Sequence, residues 1–321
     1  MRLRLDFAPA ESLLAIVGTP DVAPTQVAAR LHGPAFDALI AHRNQSFYAL
    51  PWTRELMAVN LARAASTLPV DRLYAFANPK GFLDYADVAR HRARYRALLD
   101  TLHRREPALL GAVVARIAPF LPAGTQLDRT VSLFFADGAD GWASDGVAAV
   151  DLEWFKDDHA RLRGTLTHET FHAAQSAARR PSAGATTARD SVLRGAMEAL
   201  FSEGTANWIA PARAMSADER AAAVRTGAAQ LDSLVDAAGT GDVARAWALR
   251  DRGVAGAGPF YALGEAMTAT IVEALGPRTL ADVLPRGGVA FVKAYARAIA
   301  RRATVPLVSA RVLAAAASLP D

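Results

Sequence analysis

His168-Glu169-Thr170-Phe171-His172 reads HExxH. Two imidazoles four residues apart on a helix lie about 40° apart around it and one turn along it, so both can reach one metal ion. A carboxylate beside the first imidazole and an open coordination position are what metal-assisted hydrolysis needs. With 7 His and 10 Glu in 321 residues, the pattern would arise by chance roughly 0.5% of the time. Glu169 is placed to act as a general base, taking a proton from the attacking water and returning it to the leaving amine.

Two helical imidazoles alone make a loose site, so a third ligand is expected. The chain has no cysteine, which leaves His and carboxylate as donors. Glu203 lies in Leu200-Phe201-Ser202-Glu203-Gly204-Thr205-Ala206-Asn207, 31 residues after His172 and across a loop long enough to reverse the chain. A carboxylate on a second helix facing the first would complete a His₂Glu set around one Zn²⁺ per chain. Glu198 is the rival. It is five residues away, a rotation of about 140°, so both carboxylates cannot point at one metal. Gly204 favours Glu203, because it would let the two helices approach closely. His159 stands roughly 13 Å before His168 on the far side of the helix and is not counted as a ligand.

HExxH followed on the next helix by Glu-Gly-x-Ala resembles the gluzincin metallopeptidases. It looks most like little-characterised bacterial families of zinc-dependent peptidases. The resemblance is specific over 147–210 and weaker over 259–280. It implies a zincin-like core, a peptide or protein substrate, and zinc held by His168, His172 and Glu203. In that clan the glutamate often begins Glu-x-x-x-Asp, whose Asp hydrogen-bonds a ligand His. Here that position is Asn207, whose amide carbonyl can accept the same bond without carrying charge. Such proteins also place a Tyr near the metal to donate to the developing oxyanion. Tyr261, after the Gly-rich stretch 253–258, is the candidate, and an ordinary structural Tyr fits the same pattern. Glu265, one turn on, reads as a helix-surface residue. The alternative to a zinc peptidase is a non-catalytic zinc-binding zincin scaffold for protein recognition. A third reading is a helical structural protein carrying the motif incidentally.

Composition sets bounds. Hydrophobic residues make up 52% and charged residues 21%, which suits a chain burying one large core or two modest ones. A net charge of +4 is mild for this length and does not call for nucleic acid. The arginines at 90, 92, 94 and 96 spread around a helix rather than forming a stripe. No run of 18 apolar residues is present, so no membrane span is expected. MRLRLDFAPAESLLAIVG lacks the apolar core of a signal peptide. A cytoplasmic location is the default expectation, or periplasmic or secreted if a leader was removed.

The elements that must position these residues read as α+β, predominantly helical, with a small sheet next to the HExxH helix and a Glu-bearing second helix. Residues 2–7 alternate like a strand, and Pro9 to Val17 read as a helix ended by Gly18. Helices are expected at Thr53–Ala65, Tyr85–His103 and Ala108–Ala118, with breaks at Gly33-Pro34, Pro51, Pro69, Asn78-Pro79 and Pro107. Val131–Phe135 and Val147–Leu152 read as the strands of a hairpin, joined by the Gly/Asp-rich loop 136–146 with turns at Asp137, Asp140 and Asp145. One of these strands would be a sheet edge on which an extended peptide could add. Asp158 caps a helix to about Ala178, a loop covers 181–190, and a helix runs from Ser191 to Ala210. Helices fill most of the remainder. The expected division is a mainly helical region, 1–125, and a zincin-like region, 126–321, possible as one continuous domain.

Overall fold

The computed structural model describes residues 2–45, 52–67, 79–135, 141–144, 147–155, 158–180, 187–303 and 305–321. The breaks expected at Pro51, Pro69 and Asn78, the turns at Asp137, Asp140 and Asp145, and loop residues 181–186 lie outside that set. The chain forms two compact units, each drawn from both sides of residue 125. One comprises Met1–Val113 with Leu127–Ala173, the other Val114–Gln126 with Ala174–Asp321. The fold is predominantly helical with one small mixed sheet, as α+β requires. Among the described residues no helix is long and apolar enough to cross a membrane.

The sheet belongs to the first unit. Its strands are β1 (Arg2–Asp6), β2 (Asp128–Phe134), β3 (Gly141–Ser144) and β4 (Val147–Asp151), in the order β1-β2-β4-β3. β1 runs parallel to β2, with Leu5 opposite Val131, and β2 runs parallel to β4, with Leu133 opposite Val150. Val131 to Phe134 and Ala148 to Asp151 are all buried, as expected of parallel strands covered on both faces. β3 is antiparallel to β4, with Gly141 opposite Val150.

This corrects the hairpin. β2 and β4 are parallel, and the antiparallel partner of β4 is β3, which lies inside the stretch read as a loop. A four-residue strand carrying Gly and Ser has too little periodicity to register as one.

Six helices of this unit lie between β1 and β2 in the chain: α1 (Ala8–Val17), α2 (Pro24–Ala28), α3 (Pro34–Gln45), α4 (Arg54–Ala64), α5 (Pro79–Arg90) and the greater part of α6 (Arg92–Ile117). Leu13, Leu14, Leu61, Leu99, Leu133, Val150, Leu162 and Leu166 join one apolar core. One expectation changes here. Pro107 does not end a helix but sits inside α6. Buried Leu98, Leu99, Leu102, Leu110 and Val113 continue the apolar face across it. Their burial outweighs a proline cost of about 3 kcal/mol. Gly18 closes α1 as expected, at φ −92°. Its lack of a Cβ makes room for the Arg92 guanidinium, which donates to the Gly18 carbonyl at 3.0 Å.

The HExxH helix is α7 (His159–Ala178). Asp158 accepts the Arg161 amide at 2.9 Å and so caps it, as expected. Leu162 and Leu166, one turn apart, enter the core that contains the sheet.

The second unit is helical: α8 (Ala188–Ile209), α9 (Ala217–Gly239), α10 (Val243–Val254), α11 (Pro259–Leu275), α12 (Arg278–Val283), α13 (Gly288–Arg302) and α14 (Ala310–Ser318). Thr187 caps α8 by accepting the Asp190 amide at 3.0 Å. Phe201 of α8 packs on Phe291 of α13, with ring centroids 5.6 Å apart.

Candidate metal centre

α7 presents Thr165 and Glu169 on one face, four residues apart, toward the edge strand. A Cβ at Gly141 would lie 2.7 Å from Thr165 Cγ2 and 3.1 Å from Glu169 Cγ. The glycine therefore lets α7 lie close on β3, with the Glu169 stem against the strand. Glu169 is 8% exposed and His168 4%. The His168 and His172 rings stand 4.7 Å apart, edge to face at 76°.

His168, His172 and Glu203 form one group, each offering a ligand atom within 4.8 Å of the others. The donor set fits zinc. Two imidazoles and a carboxylate are the ligands of an open catalytic site, and bonds near 2.0–2.1 Å would place tetrahedral donors about 3.4 Å apart.

Gln175 fixes the last turn of α7 against α8. Its amide nitrogen donates to the Ser202 carbonyl at 3.2 Å and to the Thr205 hydroxyl at 2.7 Å, and Ser202 Oγ donates back to its carbonyl oxygen at 3.3 Å. Ser202 and Thr205 flank Glu203, so these bonds set the helix register at the ligand. Sequence reading passed over Gln175. Its signal was a lone amide, three residues after His172, at the end of an Ala-rich stretch.

Glu198 is engaged elsewhere. It forms an ion pair with Arg179 and accepts the Gly288 amide at 2.9 Å, at the start of α13. Gly204 does serve a close approach, but its partner is α11 rather than the HExxH helix. A Cβ there would lie 2.3 Å from Gly264 Cα.

Asn207 lies one turn beyond Glu203. Its amide nitrogen donates to Glu265 and its carbonyl accepts the Ala212 amide at 2.8 Å. Glu265, read from sequence as a surface residue, is thus partly buried and also paired with Arg220. Burial pushes its carboxyl above the ordinary value, against the opposing pull of Arg220 and Asn207. Tyr261, in the first turn of α11, lines a cavity of about 240 Å³ together with Asn207, Arg213, Met215 and Thr226.

The family described as "Putative zinc dependent peptidase (DUF5700)" matches residues 53–304. The chain belongs to that family. No curated protein matches it, and no solved structure does. The family's zinc and peptidase description agrees with the donor set, since the matched stretch contains all three grouped residues.

Proposed function

We propose that this family member is a gluzincin-type peptidase that cleaves peptide bonds with a zinc-assisted water and Glu169 as general base. The observation that carries the reading is the grouping of His168, His172 and Glu203, with Glu169 next to a ligand and against an edge strand. His168, His172 and Glu203 hold the metal. Zinc, when bound, lowers the pKa of a water from 15.7 to about 7 and polarises a carbonyl. Glu169 accepts the proton released by the water and passes it to the departing amine nitrogen. Its low exposure keeps bulk water from competing for that proton.

Among the described residues, the outer edge of β3 has no strand partner. A substrate strand adding there would gain backbone hydrogen bonds and pass its carbonyl close to Glu169. Tyr261 is the proposed donor to the oxyanion. In the test, Glu169→Gln keeps zinc and loses about a thousandfold or more in turnover of a peptide library. Full activity in that variant would sink the mechanism.

A second reading, the non-catalytic zinc-binding scaffold, draws on Asn207, whose amide engages Glu265 and Ala212. Metal-dependent cleavage of the library by the wild-type chain would exclude it.

A further inference from the structure

The first unit contains a cavity of about 570 Å³ with an unusual set of walls. Thr130 and Ser132 enter it from β2, on which they share a face by strand alternation. Ser12 comes from α1, and Arg30 and His32 come from the turn before α3. The opening residues of α3 complete it.

Ser132 is 5% exposed, and its hydroxyl makes no hydrogen bond among the described residues. A hydroxyl that lines a cavity with no protein partner is free to bond a ligand placed there. Arg30 and His32 have no ion-pair partner among the described residues.

The start of α3 supplies further donors. Gly33, at φ 111°, turns the chain through backbone space that favours glycine. The Asp37 amide reaches back to the Gly33 carbonyl at 3.1 Å. Ahead of it, the Ala35 and Phe36 amides have no backbone acceptor. A helix of 12 residues carries partial positive charge at that end. Of the wall's acids, Asp128 pairs with Arg4 at 2.7 Å, while Asp6 accepts the Ala8 amide at 3.1 Å and keeps its charge, opposite two lining guanidiniums, Arg30 and Arg129. With Asp128 neutralised by Arg4, Arg30 and Arg129 outweigh Asp6, so the matching ligand is anionic and rich in acceptors.

We propose that this cavity binds the oxyanion group of a small molecule, with a phosphate ester as the best match. Arg30 supplies charge, while a His32 ring N–H, the Ala35 and Phe36 amides and the Ser132 hydroxyl supply directional hydrogen bonds. A phosphate has enough acceptor oxygens to meet these donors together, whereas a carboxylate has two. Residues 6–36, which form most of the wall, precede the family-matched stretch 53–304. The proposal is therefore independent of the zinc-peptidase reading.

The test is calorimetric titration of the full, zinc-loaded chain with inorganic phosphate and, separately, with acetate. Saturable phosphate binding, weakened about tenfold or more by combined Arg30→Ala and His32→Ala, is the expected result. Ser132→Ala, a small change that leaves Arg30 and His32 in place, should weaken it by a few-fold. Acetate binding more tightly with the same sensitivity would support the oxyanion site and assign it to carboxylates. Absence of saturable binding by either anion would overturn the proposal. So would phosphate binding untouched by the double variant, which would place the anion elsewhere, on the zinc for example.

Discussion

The edge strand β3 and the helix α11 each meet a site helix through glycine, but the missing methyl makes room for different things. At Gly141 the two nearest atoms belong to side chains, Thr165 Cγ2 at 2.7 Å and Glu169 Cγ at 3.1 Å from a would-be Cβ, with the Ala149 carbonyl oxygen next at 3.3 Å. At the α8–α11 crossing the space is filled by backbone. A Cβ on Gly204 would lie 2.3 Å from Gly264 Cα, and one on Gly264 would lie 2.2 Å from the Leu200 carbonyl oxygen. Side chains can rotate away from an intruding methyl, whereas packed backbone moves only as a whole helix. The first contact therefore tunes where Glu169, the proposed proton carrier, sits. The second decides whether the helix bearing Glu203 can occupy its place at all.

The largest effect should come from the backbone contact. Gly264→Ala is expected to lower stability by about 3 kcal/mol, read as a shifted urea midpoint, with zinc lost as the helix is displaced. A midpoint shift below about 1 kcal/mol would erase the contrast between the two contacts. Next comes Gln175→Ala, which removes the amide joining α7 to Ser202 and Thr205. It should cost about 2 kcal/mol and weaken zinc about tenfold, measured by competition with a chelator.

Gly141→Ala should do the reverse of Gly264→Ala. Stability stays within about 1 kcal/mol and zinc is kept, while turnover falls about tenfold because the Glu169 stem is pushed aside. Unchanged turnover would show that the β3 contact does not position Glu169.

The smallest effect lies at α9, away from both contacts. Ser216 and Glu219 cap this helix reciprocally, and the Ser216 amide is the main group holding the Glu219 carboxyl below its ordinary value. Because the folded pKa is depressed, this stabilisation is present above the usual carboxylate range and fades as pH falls through the folded value. Glu219→Gln should be slightly less stable than wild type at pH 7, and the two melts should converge in acid. A gap that persists or widens at low pH would contradict that sign.

The parts of the site that sit on single helices were legible in sequence. HExxH and the Asp158 cap follow from helical rotation and local hydrogen bonding, and rotation also says that Glu203 and Glu198 cannot both face one metal, while the choice of Glu203 rested on Gly204. The parts set by distant pairing were not. Nothing local distinguishes a β2–β4 hairpin from two parallel strands with β3 on the far side of β4. Gly204 announced a close approach without naming α11 as the partner. Pro107 was misread because a local helix breaker was weighed without the buried leucines on both sides of it. Gln175 was missed because its meaning lies in two atoms of another helix.

Metal content by elemental mass spectrometry tests the central claim most directly, run on wild type, Glu203→Gln and Glu198→Gln purified without chelators or a His tag. The account predicts close to one zinc per chain in wild type and Glu198→Gln, and a large loss in Glu203→Gln. Zinc retained in Glu203→Gln, or lost in Glu198→Gln with the fold intact, would contradict the assignment of Glu203 as the third ligand.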